Sequence, residues 1–402
     1  MKKLIAIFLS LLLFTGFAVA VIATPSTILY LLNWGEYIDH SLITDFEQKY
    51  HCQVIEETVT SSEAMYQKIT SRTTSYDVAI PGDYTVHQLY DEGYLKPLSV
   101  HDDELSSLKN HKTIFTDDLS QLMSHYMRDK KTEKEFDDYF MPYFWGAYVM
   151  LYSTEKPDVE SVVKKNGFEA LYDRSLYQES VNLGMYDTSR WIVASYLLAK
   201  GYDPNLISYD GKKEGDMSPK MKSDIIAALK QTRFNEFGND SLKRDVANGK
   251  KDVVFTQLGD FFDALFLVYN NASGPIDIHF NVNVPKTTAA FFDSMVIPTT
   301  AQNETLANKF INFMLTPENA YRNATAIGYC PTLKKVADLY RENAQKGEFY
   351  YQDEYNSLTL KDFLDHYPMY LDPLSGSDTY YLLEPKSNVY LTTCDTIFNS
   401  LA

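Results

Sequence analysis

The sequence predicts an α/β protein in two lobes, each a mostly parallel sheet flanked by helices, and three observations carry that expectation. The chain has 402 residues, more than one hydrophobic core usually serves. From Ile28 to Ile80, apolar runs alternate with helical patterns in the order βαβαβ, the grammar of a doubly wound sheet. After a long aromatic strand that starts at Tyr143, the same alternation resumes.

Taken in order, Lys2 and Lys3 precede an uncharged apolar run from Leu4 to Ala23, with Ala18-Val19-Ala20 as a small-residue cleavage site. Residues 1–24 therefore read as an export signal, or as an uncleaved anchor since about 20 apolar residues can span a bilayer. Ile28-Leu29-Tyr30-Leu31-Leu32 is a buried strand that runs into Asn33-Trp34-Gly35-Glu36-Tyr37. Leu42, Ile43, Phe46 and Tyr50 share one helical face, a strand follows around Val54 to Glu57, and Ser61 to Arg72 is a second helix capped by Ser61 or Ser62. Val78-Ala79-Ile80 is a strand closed by Pro81 and Gly82, so Asp83 and Tyr84 join Trp34, Glu36 and Tyr37 at one carboxyl edge, where open α/β sheets bind ligands. Thr85 to Gly93 is helical, and Val100 to Tyr139 is polar surface helix and loop. Tyr143 to Tyr152 is a β-rich strand; helices at 168–172, 192–199 and 221–229 and a strand at 252–256 follow. Ala290 to Pro298 is a strand, and Glu304 to Leu315 a helix with Leu306, Phe310, Ile311 and Met314 inward. Pro331 to Ala402 is aromatic-rich and gives no clear pattern.

The net charge of -17, from 54 acidic and 37 basic residues, argues against binding a phosphate backbone. It suits a cationic solute, and it equally suits plain solubility. The eight histidines are scattered without metal spacing, and no nucleophile-base pattern or phosphate-cradling loop is present, so neither a cofactor nor catalysis is expected. Cys52, Cys330 and Cys394 match no metal or redox motif and read as small packed side chains; one disulfide is compatible with export, but the sequence does not choose the pair.

Five motifs recur here in a familiar order: Asn33-Trp34-Gly35-Glu36-Tyr37, Tyr76-Asp77-Val78-Ala79-Ile80-Pro81 with Tyr84, Phe144-Trp145-Gly146-Ala147, Phe292-Asp293-Ser294-Met295-Val296-Ile297-Pro298 and Ile327-Gly328-Tyr329. Over Ile28 to Leu333 the chain resembles bacterial spermidine/putrescine-binding proteins, the extracytoplasmic receptors of polyamine ABC transporters. The resemblance implies a periplasmic-binding-protein-like fold with the ligand in the interlobe cleft. The expected lobes are 25–142 with 290–328, and 143–289 with 329–402, with crossings at Phe144–Ala147 and Ala290–Asp293. It implies a monomer that binds putrescine or spermidine without a cofactor and serves the permease subunits of an ABC transporter. An alternative within the class is a receptor for another small cation or an amino acid. An anchored surface enzyme or adhesin could reuse the fold.

A polyamine asks for separated carboxylates at its ammonium ends and aromatic faces along its methylenes. By resemblance, Asp293 is the main amine-binding carboxylate, Glu36 its neighbour, and Trp34, Tyr37, Tyr84, Phe291 and Tyr329 the aromatic walls. A strand-end aspartate capping a turn, or aromatics packed in a core, would give the same letters. The chain also departs from the family. Thr188 and Trp191 stand where the spermidine-binding pattern has an acidic pair, leaving Asp187 nearby. Gln257 replaces a tryptophan, and Asp260 falls where the putrescine-binding branch has a second carboxylate. The expectation is therefore a cavity shortened by Trp191, with a four-carbon diamine bridging Asp293 and Asp260 in preference to spermidine.

Overall fold

The computed structural model describes residues 27–239 and 241–401. The export segment expected over 1–24 lies outside the described residues. Among those described, no helix is long and apolar enough to cross a membrane.

The main sheet follows the path Gln53–Val59, Ile28–Trp34, Val78–Ala79, Thr287–Pro298, Phe140–Ser153, Val253–Gln257, Leu183–Tyr186, Glu236–Gly238. Its two outer thirds are parallel, as the alternating pattern predicts: Ile28–Trp34 pairs in parallel with both of its neighbours, and Leu183–Tyr186 with both of its own. The centre is antiparallel. Phe140–Ser153 and Thr287–Pro298 run against each other and against the parallel strands that flank them. All fourteen residues of Phe140–Ser153 are buried, because the strand has no solvent face along its length. A mostly parallel sheet in each half is thus correct, while the two connecting strands add the antiparallel centre.

Helices fill both faces for reasons local to their sequences. Asp39 accepts from the Ser41 amide to start His40–Tyr50, which buries Leu42, Ile43 and Phe46; Ser61 caps Ser62–Ser71, which buries Met65 and Ile69. Glu304–Met314 buries the four apolar residues its spacing predicts. Residues 100–139 are less superficial than their charge suggests. Leu105, Leu108, Phe115, Leu119, Leu122 and Phe136 are all buried, because the apolar residues among the charges fall on one side of short helices such as Asp117–Tyr126.

The C-terminal region, unreadable in sequence, divides its contacts. Helix Lys334–Gln345 packs on helix Pro317–Ile327, strand Thr379–Leu382 pairs in parallel with Thr287–Ala290, and helix Asn388–Asn399 packs on helix Ser189–Ala199. The three cysteines are buried and free, so the disulfide left open by the sequence does not form.

Candidate functional site

Strands that end at the same level bring the candidate residues together. On one side, Trp34 to Tyr37, Val59 to Ser62 and Gly82 to Tyr84 follow the carboxyl ends of three parallel strands. Across from them, Tyr186 to Thr188, Asn239 and Gln257 follow the carboxyl ends of the other parallel set. Two parallel sheets therefore face each other with their ligand-binding edges. The cleft between them has a volume of about 210 Å³. Tyr148, Phe291 and Asp293, from the two crossing strands, form its floor.

Asp293 sits at a break in regular pairing. The register between the crossing strands shifts between Asp293 and Ser294, a bulge of the kind that re-aims a side chain. The carboxylate is 9% exposed, and its Oδ2 accepts from the Tyr37 hydroxyl at 2.7 Å. Burial pushes its pKa up to about 7, against the lowering effect of the Tyr37 hydrogen bond. Asp83 lies beside it at the first position of helix Asp83–Asp91 and takes the amides of Tyr84 and Phe292, at 2.6 and 3.3 Å. Burial, with the charge of Asp293 added, raises Asp83 to about 8 despite those amides. Two desolvated carboxyls share one end of the cleft, and neither forms an ion pair with a described residue. The buried Arg190 guanidinium is the smallest of the influences on Asp83 and forms no ion pair with it, so the arrangement lacks a cation in contact.

The walls are aromatic and fixed. The Trp34 indole donates to the Ile80 carbonyl at 2.8 Å, which holds the ring against the cleft. Tyr37 meets Tyr329 edge-on with centroids 5.0 Å apart, Tyr148 meets Trp191 at 5.1 Å and Phe291 at 5.6 Å. Glycines permit two of these contacts. A Cβ at Gly146 would stand 2.8 Å from the Phe291 ring, and one at Gly259 only 2.3 Å from the Tyr329 ring. Gly259→Ala is therefore expected to displace Tyr329 and weaken ligand binding about tenfold, while Gly274→Ala, which meets open space, leaves it unchanged. Titration calorimetry on the two variants distinguishes them. Glu36 is exposed at the cleft rim and takes a left-handed φ of 53°, a conformation uncommon for a residue with a side chain and enriched at binding sites.

Of the expected site residues, Trp34, Glu36, Tyr37, Asp83, Tyr84, Asp187, Trp191, Gln257, Phe291, Asp293 and Tyr329 line the cleft. Asp260 does not. It is 2% exposed and completes a capping box with Gln257 at the start of helix Leu258–Asn270, where it also accepts from the Thr256 and Tyr186 hydroxyls and lies 3.7 Å from the Lys243 ammonium. Its carboxylate serves the helix N-terminus. The diamine bridge from Asp293 to Asp260 is accordingly withdrawn. At that far end the cleft instead presents Asp187, which forms no ion pair with a described residue, and Asp263, whose carboxylate is 2.5 Å from Lys243. The Trp191 Nε1 proton is buried with no hydrogen-bond partner among the described residues.

Tyr148, Tyr186, Lys243 and Asp263 were missed from sequence. Alternation along the crossing strand puts Tyr148 on the same face as Phe144, which was a usable signal. Nothing in the sequence marks Lys243.

Residues 41–349 match the family described as bacterial extracellular solute-binding protein. The chain is 28% identical over 315 residues to the spermidine/putrescine-binding periplasmic protein of Escherichia coli, covering 76% of this chain and 78% of that protein. It is 26% identical over 335 residues to a putrescine/cadaverine-binding protein of Pseudomonas aeruginosa, 82% of this chain and 84% of that one. Among solved structures, a protein assigned to spermidine/putrescine ABC transport in Listeria monocytogenes superposes with a TM-score of 0.69 at 27% identity, over 94% of this chain and 99% of that chain. The substrate-binding protein of a Streptococcus pneumoniae spermidine/putrescine transporter shares the fold with a TM-score of 0.65 at 23% identity, over 94% and 98%. The two-lobed periplasmic-binding-protein fold expected from the motifs is the fold observed.

Proposed function

The chain belongs to the bacterial extracellular solute-binding proteins, and from that premise we propose that it captures a small diamine or polyamine outside the cytoplasmic membrane and delivers it to an ABC permease. The observation that carries this reading is the pair of buried carboxyls, Asp83 and Asp293, at one end of an aromatic cleft, neither in an ion pair with a described residue and with the buried Arg190 acting on Asp83 only as the smallest of its influences. A primary ammonium offers three donors and a full charge to that pair, and each charge-assisted hydrogen bond contributes about 1.5 to 3 kcal/mol. The methylenes then lie against Trp34, Tyr37, Tyr148, Phe291 and Tyr329. Names of relatives support the same ligand class, since several are spermidine/putrescine-binding or putrescine-binding. The site works by holding charge and shape, which is receptor chemistry, and the chain acts as a monomer that closes over its ligand by hinge motion at the two crossing strands. Its lobes are built on 25–142 with 290–328 and on 143–289, with the segment from 329 onward packing against both.

The far ammonium rests on Asp187. The Trp191 indole fills the space beyond it and shortens the cavity, so putrescine is preferred over spermidine by at least about tenfold, or roughly 1.4 kcal/mol. Competition calorimetry with the two amines tests the preference. Asp187→Asn should weaken putrescine about tenfold or more and leave a monoamine such as butylamine unchanged. Equal loss for both ligands would show that Asp187 shapes the cleft without contacting the amine, and tighter spermidine binding would overturn the short-cavity reading.

A further inference from the structure

Between the cleft residues Tyr84 and Tyr148 in the chain, His111 opens the short helix His111–Ile114, and Asp137 and Asp138 open the turn that feeds the crossing strand Phe140–Ser153. His111 is 5% exposed, and its Nδ1 lies 2.9 Å from the carbonyl oxygen of Leu108. A carbonyl only accepts, so Nδ1 carries a proton and points away from the aspartates, leaving Nε2 to face them. That Nε2 is buried, and among the described residues it makes no hydrogen bond. It faces Asp138 Oδ1 at 3.2 Å and Asp137 Oδ2 at 3.5 Å.

Two carboxylates and a ring nitrogen turned on one another call for a positive centre between them, a proton on Nε2 or a metal ion. In a tetrahedral zinc site with bonds near 2.0 to 2.1 Å, ligand atoms stand about 3.3 Å apart, which matches both observed separations. We propose that His111, Asp137 and Asp138 form a binding site for a divalent transition ion of the zinc class. Imidazole with two carboxylates suits zinc and disfavours calcium and magnesium, which take oxygen ligands. His111 and Asp137 also line a cavity of about 210 Å³ together with Met123 and Glu135. The Leu108 carbonyl fixes the imidazole tautomer, the usual second partner of a metal-bound histidine. Lys112 also reaches Asp137, at 3.1 Å from Oδ2 and 3.4 Å from Oδ1. Its exposed, flexible stem can keep Oδ1 while Oδ2 turns to the ion. No metal spacing is visible along the chain here because the ligands come from two elements separated by an intervening helix. An ion there ties the excursion over residues 100–139 to the base of the crossing strand.

The test is titration of zinc chloride into the full-length, chelator-treated protein, followed by calorimetry and by thermal melting. One zinc per chain and a rise of a few degrees in Tm are expected. His111→Gln and the more exposed Asp138→Asn should each weaken zinc at least about tenfold, while Lys112→Ala binds zinc no more weakly than the native protein. Calcium at millimolar concentration should not compete. Putrescine affinity should stay constant in all three variants, which separates this site from the amine cleft. Absence of zinc binding, or equal zinc affinity in His111→Gln and Asp138→Asn, would overturn the proposal and leave His111 as an imidazolium paired with two aspartates.

Discussion

Asp293→Ala is expected to lower putrescine affinity at least about 100-fold, equivalent to roughly 2.7 kcal/mol, without unfolding the protein. The magnitude follows from burial. Asp293 is nearly enclosed, so its ion pair with an ammonium is formed out of water and is little screened, and truncating it leaves the ligand's charge desolvated beside Asp83 alone. The fold does not depend on that charge. Its pKa of about 7 in the empty protein lies well above the usual aspartate value near 3.9. A group raised in the folded state stabilises that state most when protonated, and this contribution fades as pH climbs from about 4 to 7. At pH 8 the ionised carboxyl therefore costs stability in the empty protein, and Asp293→Asn should hold or raise the ligand-free Tm. The isosteric amide keeps an acceptor for the Tyr37 hydroxyl and lacks the charge, so it should lose nearly as much affinity as alanine. Calorimetry on both variants checks the loss. Wild-type affinity in either one would move the ammonium site away from Asp293.

Affinity should also fall with acid, by at least about tenfold between pH 8 and pH 6. An ammonium requires ionised partners, and Asp293 at about 7 and Asp83 at about 8 are both protonated in part across this range when the cleft is empty. Binding must expel those protons. The amine itself stays charged throughout, because its own pKa is that of an alkylammonium near 10. The sign is therefore fixed: tighter binding at higher pH, with proton release near neutrality. Titrations in two buffers of different ionisation enthalpy measure that release directly. A flat pH profile would mean that the two carboxyls are already ionised in the empty cleft. In Asp83→Asn the midpoint should shift down, since the carboxyl of the pair that holds its proton to the higher pH, about 8, is removed.

Gln257 and Asp260 show where reading from sequence reaches its limit. By resemblance, Gln257 falls where the family has a tryptophan and Asp260 where the putrescine-binding branch has a carboxylate, and both lie at the start of one helix. Gln257 lines the cleft while Asp260, three residues on, turns back to the amide of Gln257. An acidic residue at the third helical position after a polar one is a capping box, and that reading was available from spacing alone.

Short-range physics controls the features that could be read along the chain. Apolar alternation set the strands and helices of both parallel sheets, the turn residues after Leu32 and Ile80 put aromatics and acids at strand ends, and the motif order identified the family. Those properties depend on residues within a turn or a strand of one another. Which polar groups meet depends instead on the closed fold. The desolvation of Asp83 and Asp293 comes from strands more than 200 residues apart in sequence, closed around a bulge. Lys243, Asp263 and Tyr148 reach the cleft because two sheets face each other, and His111 meets Asp137 and Asp138 because a polar excursion folds back on the crossing strand. Burial and charge proximity are properties of packed neighbours, and those neighbours exist only once the chain has closed.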